Sequence, residues 1–307
     1  MLEESNCQKE EIAMNTLKTQ NPGTSAEAIK HHYDVGNDFY QLWLDSTNTY
    51  SGALWEENDT LELAQLRKLD FHINQARAKG AKRVLDIGCG WGSTLKRLIE
   101  VHDVEQAFGL TLSKAQAEWI ASLKLPQAEV KLESRQDHSP VEPYDAIISL
   151  EAFEHFTKLE LSHKERIAVY RKFFSHCHQW LKPSGWMSLQ VSTHGNSRRE
   201  DSSKFLFTEV LPETDFPTLA EIIEGSERIF EIVAIRNYRQ DYEHTLKAWL
   251  SRLKANRAAG IELVGKEVVS RFEKYLSLSS ICFHQGISNL FCFTLRRIDN
   301  PRKGSSC

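Results

Sequence analysis

The middle of the chain alternates short apolar runs with longer segments in which apolar residues recur at helical spacing. Residues 83–88, RVLDIG, form the first such run, and YDAIISLEAF is unbroken and apolar, as expected for a central strand covered on both faces. Five further runs have strand character: QAFGLTL, AEVKLES, WMSLQVS, FEIVAIRNY and NLFCFTLRR. This alternation predicts an α/β fold, a doubly wound, seven-stranded Rossmann-like sheet with parallel strands.

Helical periodicity is clearest in residues 60–79, where leucines recur every three or four positions ahead of the first strand. HKERIAVYRKFFSHCHQWL predicts a long helix stopped by KPSG, and HTLKAWLSRLKANRAAGIELV predicts a single helix near the C-terminus. After the fifth strand the rhythm breaks at the charged stretch NSRREDSSK. The residues that follow, FLFTEVLPETDFPTLAEIIEGS, indicate a helical insertion.

Composition excludes several classes of protein. The chain has 307 residues, a net charge of −4 and 41% hydrophobic residues, with no basic runs typical of nucleic-acid binding. No stretch approaches the roughly 20 apolar residues of a membrane span. The acidic N-terminus, MLEESNCQKEEIAMN, is unlike a signal peptide, and the six cysteines show neither disulfide nor metal-ligand spacing. We therefore expect a cytoplasmic protein without a metal site.

A glycine-rich turn follows the first strand in VLDIGCGWG. Asp86 precedes Gly88, Gly90 and Gly92, a pattern that places a nucleotide-like cofactor at the carboxyl end of this strand. It differs from the dinucleotide fingerprint, and the acidic residue would repel a pyrophosphate. S-adenosylmethionine carries an ammonium group and no phosphate, so a carboxylate here suits its amino acid end.

With these motifs the sequence resembles the cyclopropane fatty acid synthase and mycolic acid methyltransferase family of S-adenosylmethionine-dependent enzymes. The resemblance covers residues 27–297 and includes HHYDVGNDFYQLWLD, TYSGALW, AQLRKLDF, VLDIGCGWG, GLTLSKAQ, AFEHF, LKPSG and DYEHTLKAW. It implies a class I methyltransferase that converts S-adenosylmethionine to S-adenosylhomocysteine.

Domain boundaries follow from the pattern and the resemblance together. We expect one methyltransferase domain over residues 26–297, between a flexible tail at 1–25 and a second tail at 298–307. Within the domain, 26–79 would form N-terminal lid helices and 80–193 the cofactor-binding core. Residues 194–228 would form a cap over the substrate, and 229–297 the C-terminal strands and helices.

The resemblance also implies the roles of individual positions. Tyr50 and Ser51 would contact the methionine part of the cofactor, and Gly88 and Gly90 would form the loop beneath it. Thr111 and Gln116 would lie near the ribose, and Gln136 and Asp137 near the adenine. For the active site they are Glu154 in AFEHF and Tyr242 in DYEHTL.

The chain departs from the family at the site where cyclopropanating members hold a bicarbonate ion as the base. Of five positions that the resemblance places there, Glu154 and Tyr242 are kept. The family's cysteine, histidine and isoleucine fall at Gly52, Gln190 and Ser192. Loss of the imidazole and of a side chain weakens an anion site and enlarges the cavity. We therefore expect no dependence on bicarbonate.

The function implied is transfer of a methyl group to an alkene carbon of an apolar lipid-like, prenyl-like or natural-product substrate, through a carbocation that ends in methylation or cyclopropanation. Glu154, its pKa raised by burial, would remove the proton directly or hold the water that does. Tyr242, with aromatic residues such as Phe39 and Trp55 in the substrate pocket, would stabilise the cation through ring faces. His155 is interpreted as a structural hydrogen-bonding residue.

Other functions remain open. The chain could methylate a nitrogen or oxygen atom of a small molecule on the same fold, or bind the cofactor without catalysis. Arg198 and Arg199 could offer a phosphate head group or carrier protein a peripheral contact, although a solvated charged loop explains NSRRED equally simply. The acceptor and the oligomeric state do not follow from the sequence.

Overall fold

A seven-stranded sheet forms the centre of the computed structural model, which describes residues 35–199 and 214–300. Its strand order is β3-β2-β1-β4-β5-β7-β6. The strands are β1 Arg83–Ile87, β2 Gln106–Thr111, β3 Ala128–Leu132, β4 Tyr144–Leu150, β5 Leu181–His194, β6 Phe230–Asn237 and β7 Ser288–Arg297. The predicted seven-stranded Rossmann-like fold is confirmed.

The prediction of an all-parallel sheet is wrong for the last strand. β1 to β5 pair in parallel, whereas β7 enters between β5 and β6 and runs antiparallel to both. β7 follows β6 in the chain and pairs with it. The helices between the two strands return the chain to the end of the sheet where β6 finishes, so β7 runs back antiparallel and no parallel crossover is needed.

Helices of the described residues pack beside this sheet. They are α1 Asn37–Gln41, α2 Leu61–Gln75, α3 Ser93–Glu100, α4 Lys114–Ser122, α5 His163–Trp180, α6 Leu219–Ser226, α7 Arg239–Ala255, α8 Arg257–Val264 and α9 Lys266–Gln285. Side-chain caps fix the starts of four helices: the backbone N–H three residues later donates a hydrogen bond to the side chain of Thr60, Ser113, Ser162 or Thr218. The helix predicted across residues 244–264 is two helices, separated at Asn256.

The run YDAIISLEAF does not form one strand. β4 ends at Leu150, and Glu151 adopts a left-handed backbone with φ of 51°. A 3-10 helix, Phe153–His155, follows directly. The turn takes the two glutamates of this segment out of the sheet ladder and leaves them at the carboxyl edge of the central strands.

The N-terminal part of the described chain packs against the C-terminal helices through an aromatic cluster. Tyr40 and Trp43 at α1 contact Tyr50, and Trp43 also meets Trp249 of α7 and Phe272 of α9 edge-on or tilted. Such pairs add to the energy of burying large rings. Four of the ten residues of the lid motif HHYDVGNDFY, residues 31–34, lie outside the described residues, as do residues 200–213 of the predicted cap.

No helix within residues 35–199 and 214–300 is long and apolar enough to cross a membrane.

Candidate active site

A cavity of about 180 Å³ opens where the central parallel strands end. Three stretches supply most of its wall: the turn after β1, the segment around Tyr50, and the segment that leaves β4 at Glu151. The carboxyl ends of β1, β2 and β4 meet at one edge because these strands are adjacent and parallel.

The glycine turn forms the floor of the cavity, and its glycines serve different purposes. Gly88 has φ of 81° and approaches Ala152 so closely that a Cβ atom would lie 2.5 Å from the Ala152 Cβ. Gly90, with φ of 52°, has no atom within 4 Å of that position, so a side chain there would extend into open space. Gly92 does not line the cavity. It caps α3, and a side chain would collide with Ile120.

Asp86 is buried at the end of β1 and lines the cavity. Burial raises the pKa of its carboxyl group to about 7, against a hydrogen bond from Thr94 and the attraction of Lys68. The Oδ1 atom has no hydrogen-bond partner among the described residues. A buried acceptor without a donor costs free energy, so this atom, together with the open space at Gly90, fits the ammonium end of S-adenosylmethionine.

The positions predicted for the ribose also lie in the cavity wall. The Thr111 hydroxyl donates to Oε1 of Gln116 at 2.8 Å, and both side chains line the cavity. Of the pair predicted near the adenine, Gln136 lines the cavity, whereas Asp137 accepts a hydrogen bond from Ser134 and lies outside it. Asp137 therefore does not line this cavity, because it is bonded within its own short turn.

Tyr50 and Ser51 line the cavity as predicted, and they lie beside a residue that the sequence analysis overlooked. Lys68 of α2 is fully buried, and its ammonium donates to Oγ of Ser51 at 2.7 Å. Burial lowers the pKa of Lys68 to about 8, although the charges of Glu151, Asp45 and Asp86 oppose the shift. Lys68 thus supplies positive potential between the cofactor cavity and Glu151.

Glu151 is a second overlooked residue. Its Oε1 atom accepts hydrogen bonds from the Gly52 backbone N–H and from Nε2 of Gln190, each at 2.7 Å. The Tyr242 hydroxyl donates to the same carboxylate. Glu151 lines the cavity next to Ala152, which touches the glycine turn. A carboxylate therefore lies in the wall of the predicted cofactor cavity, but it belongs to Glu151 and not to Glu154.

Glu154 points away from this cavity. It is buried, its Oε1 atom accepts from the Ser192 N–H at 2.5 Å, and its Oε2 atom has no hydrogen-bond partner among the described residues. Burial and the neighbouring charge of Glu151 raise the pKa of Glu154 well above its usual range. Ser192 is therefore a backbone donor to Glu154.

Gln190 is oriented by a chain of hydrogen bonds that continues behind the site. Its Oε1 atom contacts Nε2 of His72 at 2.8 Å, and Nδ1 of His72 contacts the Ser188 hydroxyl at 2.7 Å. Burial lowers the pKa of His72 to about 3, so this imidazole is neutral. A neutral ring that donates from Nε2 fixes the Gln190 amide with its NH₂ group toward Glu151.

Three predictions for the substrate pocket need correction. Gly52 does not enlarge the cavity, because Leu290 and Tyr242 fill the space: a Cβ atom would lie 2.7 Å from Leu290. Phe39 packs edge-on against Phe272 in the hydrophobic core. Trp55 stacks on His244, and neither ring lines the cavity. Apolar packing between α1 and the C-terminal helices outweighs exposure of these rings to a ligand.

Two further side chains make hydrogen bonds or ion pairs within the protein, and one of them, His155, also lines the cavity. His155 contacts the Thr214 hydroxyl at 3.1 Å, and burial lowers the pKa of its ring to about 4. Arg199 pairs with buried Asp215 at 2.7 Å and with Glu221 at 3.0 Å. It is therefore engaged within the protein, contrary to the suggestion that it could meet a head group.

The antiparallel seventh strand and the glycine turn with its acidic residue define a Rossmann-like methyltransferase, and comparisons identify the family. The sequence model described as mycolic acid cyclopropane synthetase matches residues 20–293. Cyclopropane mycolic acid synthase 3 of Mycobacterium tuberculosis is 33% identical over 88% of this chain and 96% of the relative. Hydroxymycolate synthase MmaA4 of the same organism is 36% identical over 82% of this chain and 86% of the relative.

Solved structures agree. The cyclopropane synthase MmaA2 from Mycobacterium tuberculosis matches with a TM-score of 0.81 and 32% identity, over 91% of this chain and all of that one. The chain belongs to the mycolic acid cyclopropane synthetase family. The predictions of this family, of its fold and of an S-adenosylmethionine-dependent methyltransferase are confirmed.

Proposed function

We propose that this enzyme transfers a methyl group from S-adenosylmethionine to an alkene carbon of an apolar, lipid-like substrate. The observation that carries the proposal is a carboxylate, Glu151, in the wall of the cofactor cavity beside the glycine turn. Family membership supports the substrate class, because the relatives named above are synthases of modified mycolic acids.

The residues of the cavity would have different roles in this reaction. When bound, the cofactor supplies an electrophilic methyl group on a sulfonium and leaves as S-adenosylhomocysteine. Asp86 would bind its ammonium, and Gly90 would leave room for the rest of its amino acid end. The enclosed wall excludes water, which would otherwise capture the carbocation left on the second alkene carbon. A carboxylate then removes the proton that completes either a ring or a methylated alkene.

N-methylation is a second candidate, and the pairing of Glu151 with Glu154 favours it. Two neighbouring glutamates, close enough for the charge of Glu151 to raise the pKa of Glu154, create negative potential that attracts a protonated amine. A carboxylate of the pair would take the amine's proton and free the nitrogen lone pair to attack the methyl group. The same site thus suits either acceptor.

Product analysis with isotopically labelled cofactor separates the two. The enzyme is incubated with S-adenosylmethionine carrying a ¹³C-methyl group and with either vesicles of a mono-unsaturated phospholipid or a cyclic secondary amine. We expect ¹³C in a C-methyl or ring CH₂ group of the acyl chain, which NMR distinguishes from N-methyl. Label in the amine alone would contradict alkene methylation and establish the second candidate.

A further inference from the structure

The five positions that the family resemblance assigns to bicarbonate surround a protein carboxylate in this chain. Gly52 and Gln190 donate to Oε1 of Glu151 at 2.7 Å, and Tyr242 donates to the same group. Ser192 and Glu154 bond to each other on the adjoining side. The donors that an added anion would need are already engaged, so the residues present do not fit a free bicarbonate ion.

The backbone of Glu151 is an independent sign that its side chain has a function. Its φ of 51° lies in the left-handed region, where glycine is free of strain and a residue with a Cβ atom is strained. Glycine would therefore suit this turn better. A glutamate held in such a conformation, with its carboxylate on three donors, is explained if the carboxylate itself is needed.

The surroundings divide the two glutamates into an acid and a base. Burial raises the pKa of Glu151, while Tyr242, the Gly52 N–H, Gln190 and the charge of Lys68 all oppose the shift. Glu154 has fewer donors and feels the charge of Glu151, so its pKa rises further. Of the two glutamates, Glu151 therefore gives up its proton more readily.

We propose that the Glu151 carboxylate takes the place of free bicarbonate and is the base of this methyltransferase, an inference that rests on the proposed function. When the carbocation forms, a C–H bond breaks, either in the transferred methyl group, which leads to the ring, or on a carbon next to the cationic carbon, which leads to the alkene. Its electron pair closes the cyclopropane or forms the new double bond, and its proton goes to Glu151. The carboxylic acid then returns the proton to solvent through the opened cavity. No co-reactant is required.

The first experiment measures turnover of the intact enzyme in buffers freed of carbon dioxide and then supplied with bicarbonate or formate. We expect the wild type to be unaffected. Glu151→Gly should lose about 100-fold or more in kcat, the range of general base catalysis, and a small carboxylate entering the vacated space should restore about tenfold of it. Glu151→Gln should lose as much and resist rescue, because its amide fills the space.

Stimulation of the wild type by bicarbonate, or near-normal turnover by Glu151→Gly without an added anion, would overturn the proposal. Folding of the glycine variant is expected, since glycine relieves the strained backbone. The matched control is Asp103→Gly, which also replaces an acidic residue at positive φ (54°), on the surface. It should keep normal turnover.

A second measurement needs no acceptor and so separates this proposal from the proposed function. Crystals of wild type and Glu151→Gly are grown with S-adenosylhomocysteine and soaked in bicarbonate. We expect an anion on the Gly52 N–H and Gln190 in the variant alone. An anion beside Glu151 in the wild type would refute the replacement, whereas missing label in the acyl chain would refute only alkene methylation.

Discussion

Asp86 and Glu151 show how one cavity sets two carboxylates to different tasks. Asp86 is buried and Glu151 is partly exposed in the cavity wall, and desolvation raises the pKa of each. Glu151 is surrounded by donors, whereas one oxygen of Asp86 has none among the described residues. A satisfied carboxylate is held in place as a base, and an unsatisfied one is ready for a cationic ligand.

Cofactor binding should therefore release a proton from Asp86. With a pKa of about 7, free Asp86 is mostly protonated at pH 6, and the ammonium of a bound ligand stabilises the charged form. Binding of S-adenosylhomocysteine at pH 6 should release up to about one proton and tighten as the pH rises to 8. Calorimetry in buffers of different ionisation enthalpy counts this proton.

The control for the proton count is Asp86→Asn. It should bind the cofactor more weakly and with little pH dependence over the same range. A wild-type count near zero at pH 6 would show that the ammonium does not lie against Asp86.

At the scale of the element, the turn between β1 and α3 contains three glycines with left-handed backbone, and a side chain would have different consequences at each. Gly88 and Gly92 are needed for close packing against Ala152 and Ile120, while the space at Gly90 is open. Only Gly90 thus tests the cofactor without a direct collision inside the protein.

Gly90→Val should weaken S-adenosylhomocysteine binding at least about 100-fold because its side chain extends into the cavity. Gly80→Val is the matched control: Gly80 has φ of 67° and nothing within 4 Å of a Cβ atom, but it lies away from the cavity. Both variants carry similar backbone strain. Equal cofactor affinity in the two, by calorimetry, would mean that the ligand does not pass over Gly90.

The sequence predicts this turn well because its signal is local. A strand, an acidic residue and three glycines within seven positions specify the turn and its ligand together. Glu151 carries no such signal: its donors Gly52 and Gln190 are 99 and 39 residues away, and only the folded sheet brings them together. The apolar run through Phe153 also concealed the end of β4.

Helix α2 had a weak signal that could have revealed Lys68 and His72. They stand four residues apart on the face that also carries Leu61, Ala64 and Leu69, all buried. Two polar residues within an apolar helical stripe indicate a buried polar network. Phe39 and Trp55 were predicted to line the substrate pocket, but they pack against other side chains. An aromatic residue within a sequence motif can contribute to the core as well as to a ligand site.

At the scale of the molecule, a buried ionic network joins the end of the predicted cap to the core. Asp215 is fully buried, bonded to Arg199, and its N–H donates to the carbonyl of Glu154 at 3.4 Å. Glu221 of α6 pairs with Arg199 and with Arg166 of α5. The described residues of the predicted cap therefore hold in place the segment that carries Glu151 and Glu154.

Arg199→Met should destabilise the protein by about 3–5 kcal/mol at pH 7, because it leaves the buried charge of Asp215 without its close partner.

Burial alone would raise the pKa of Glu221, yet Arg199, the Thr218 N–H and Arg166 together lower it to about 2. A carboxyl group whose pKa is lowered in the folded state stabilises the fold at pH values above its ordinary pKa. This stabilisation is lost as the pH falls toward 2. The difference in unfolding free energy between the wild type and Arg199→Met, measured with urea, should therefore become smaller as the pH falls from 5 to 3. Arg67→Met, which removes an ion pair with Asp59 outside this network, should cost much less. An equally small loss for Arg199→Met would show that the network does not stabilise the fold.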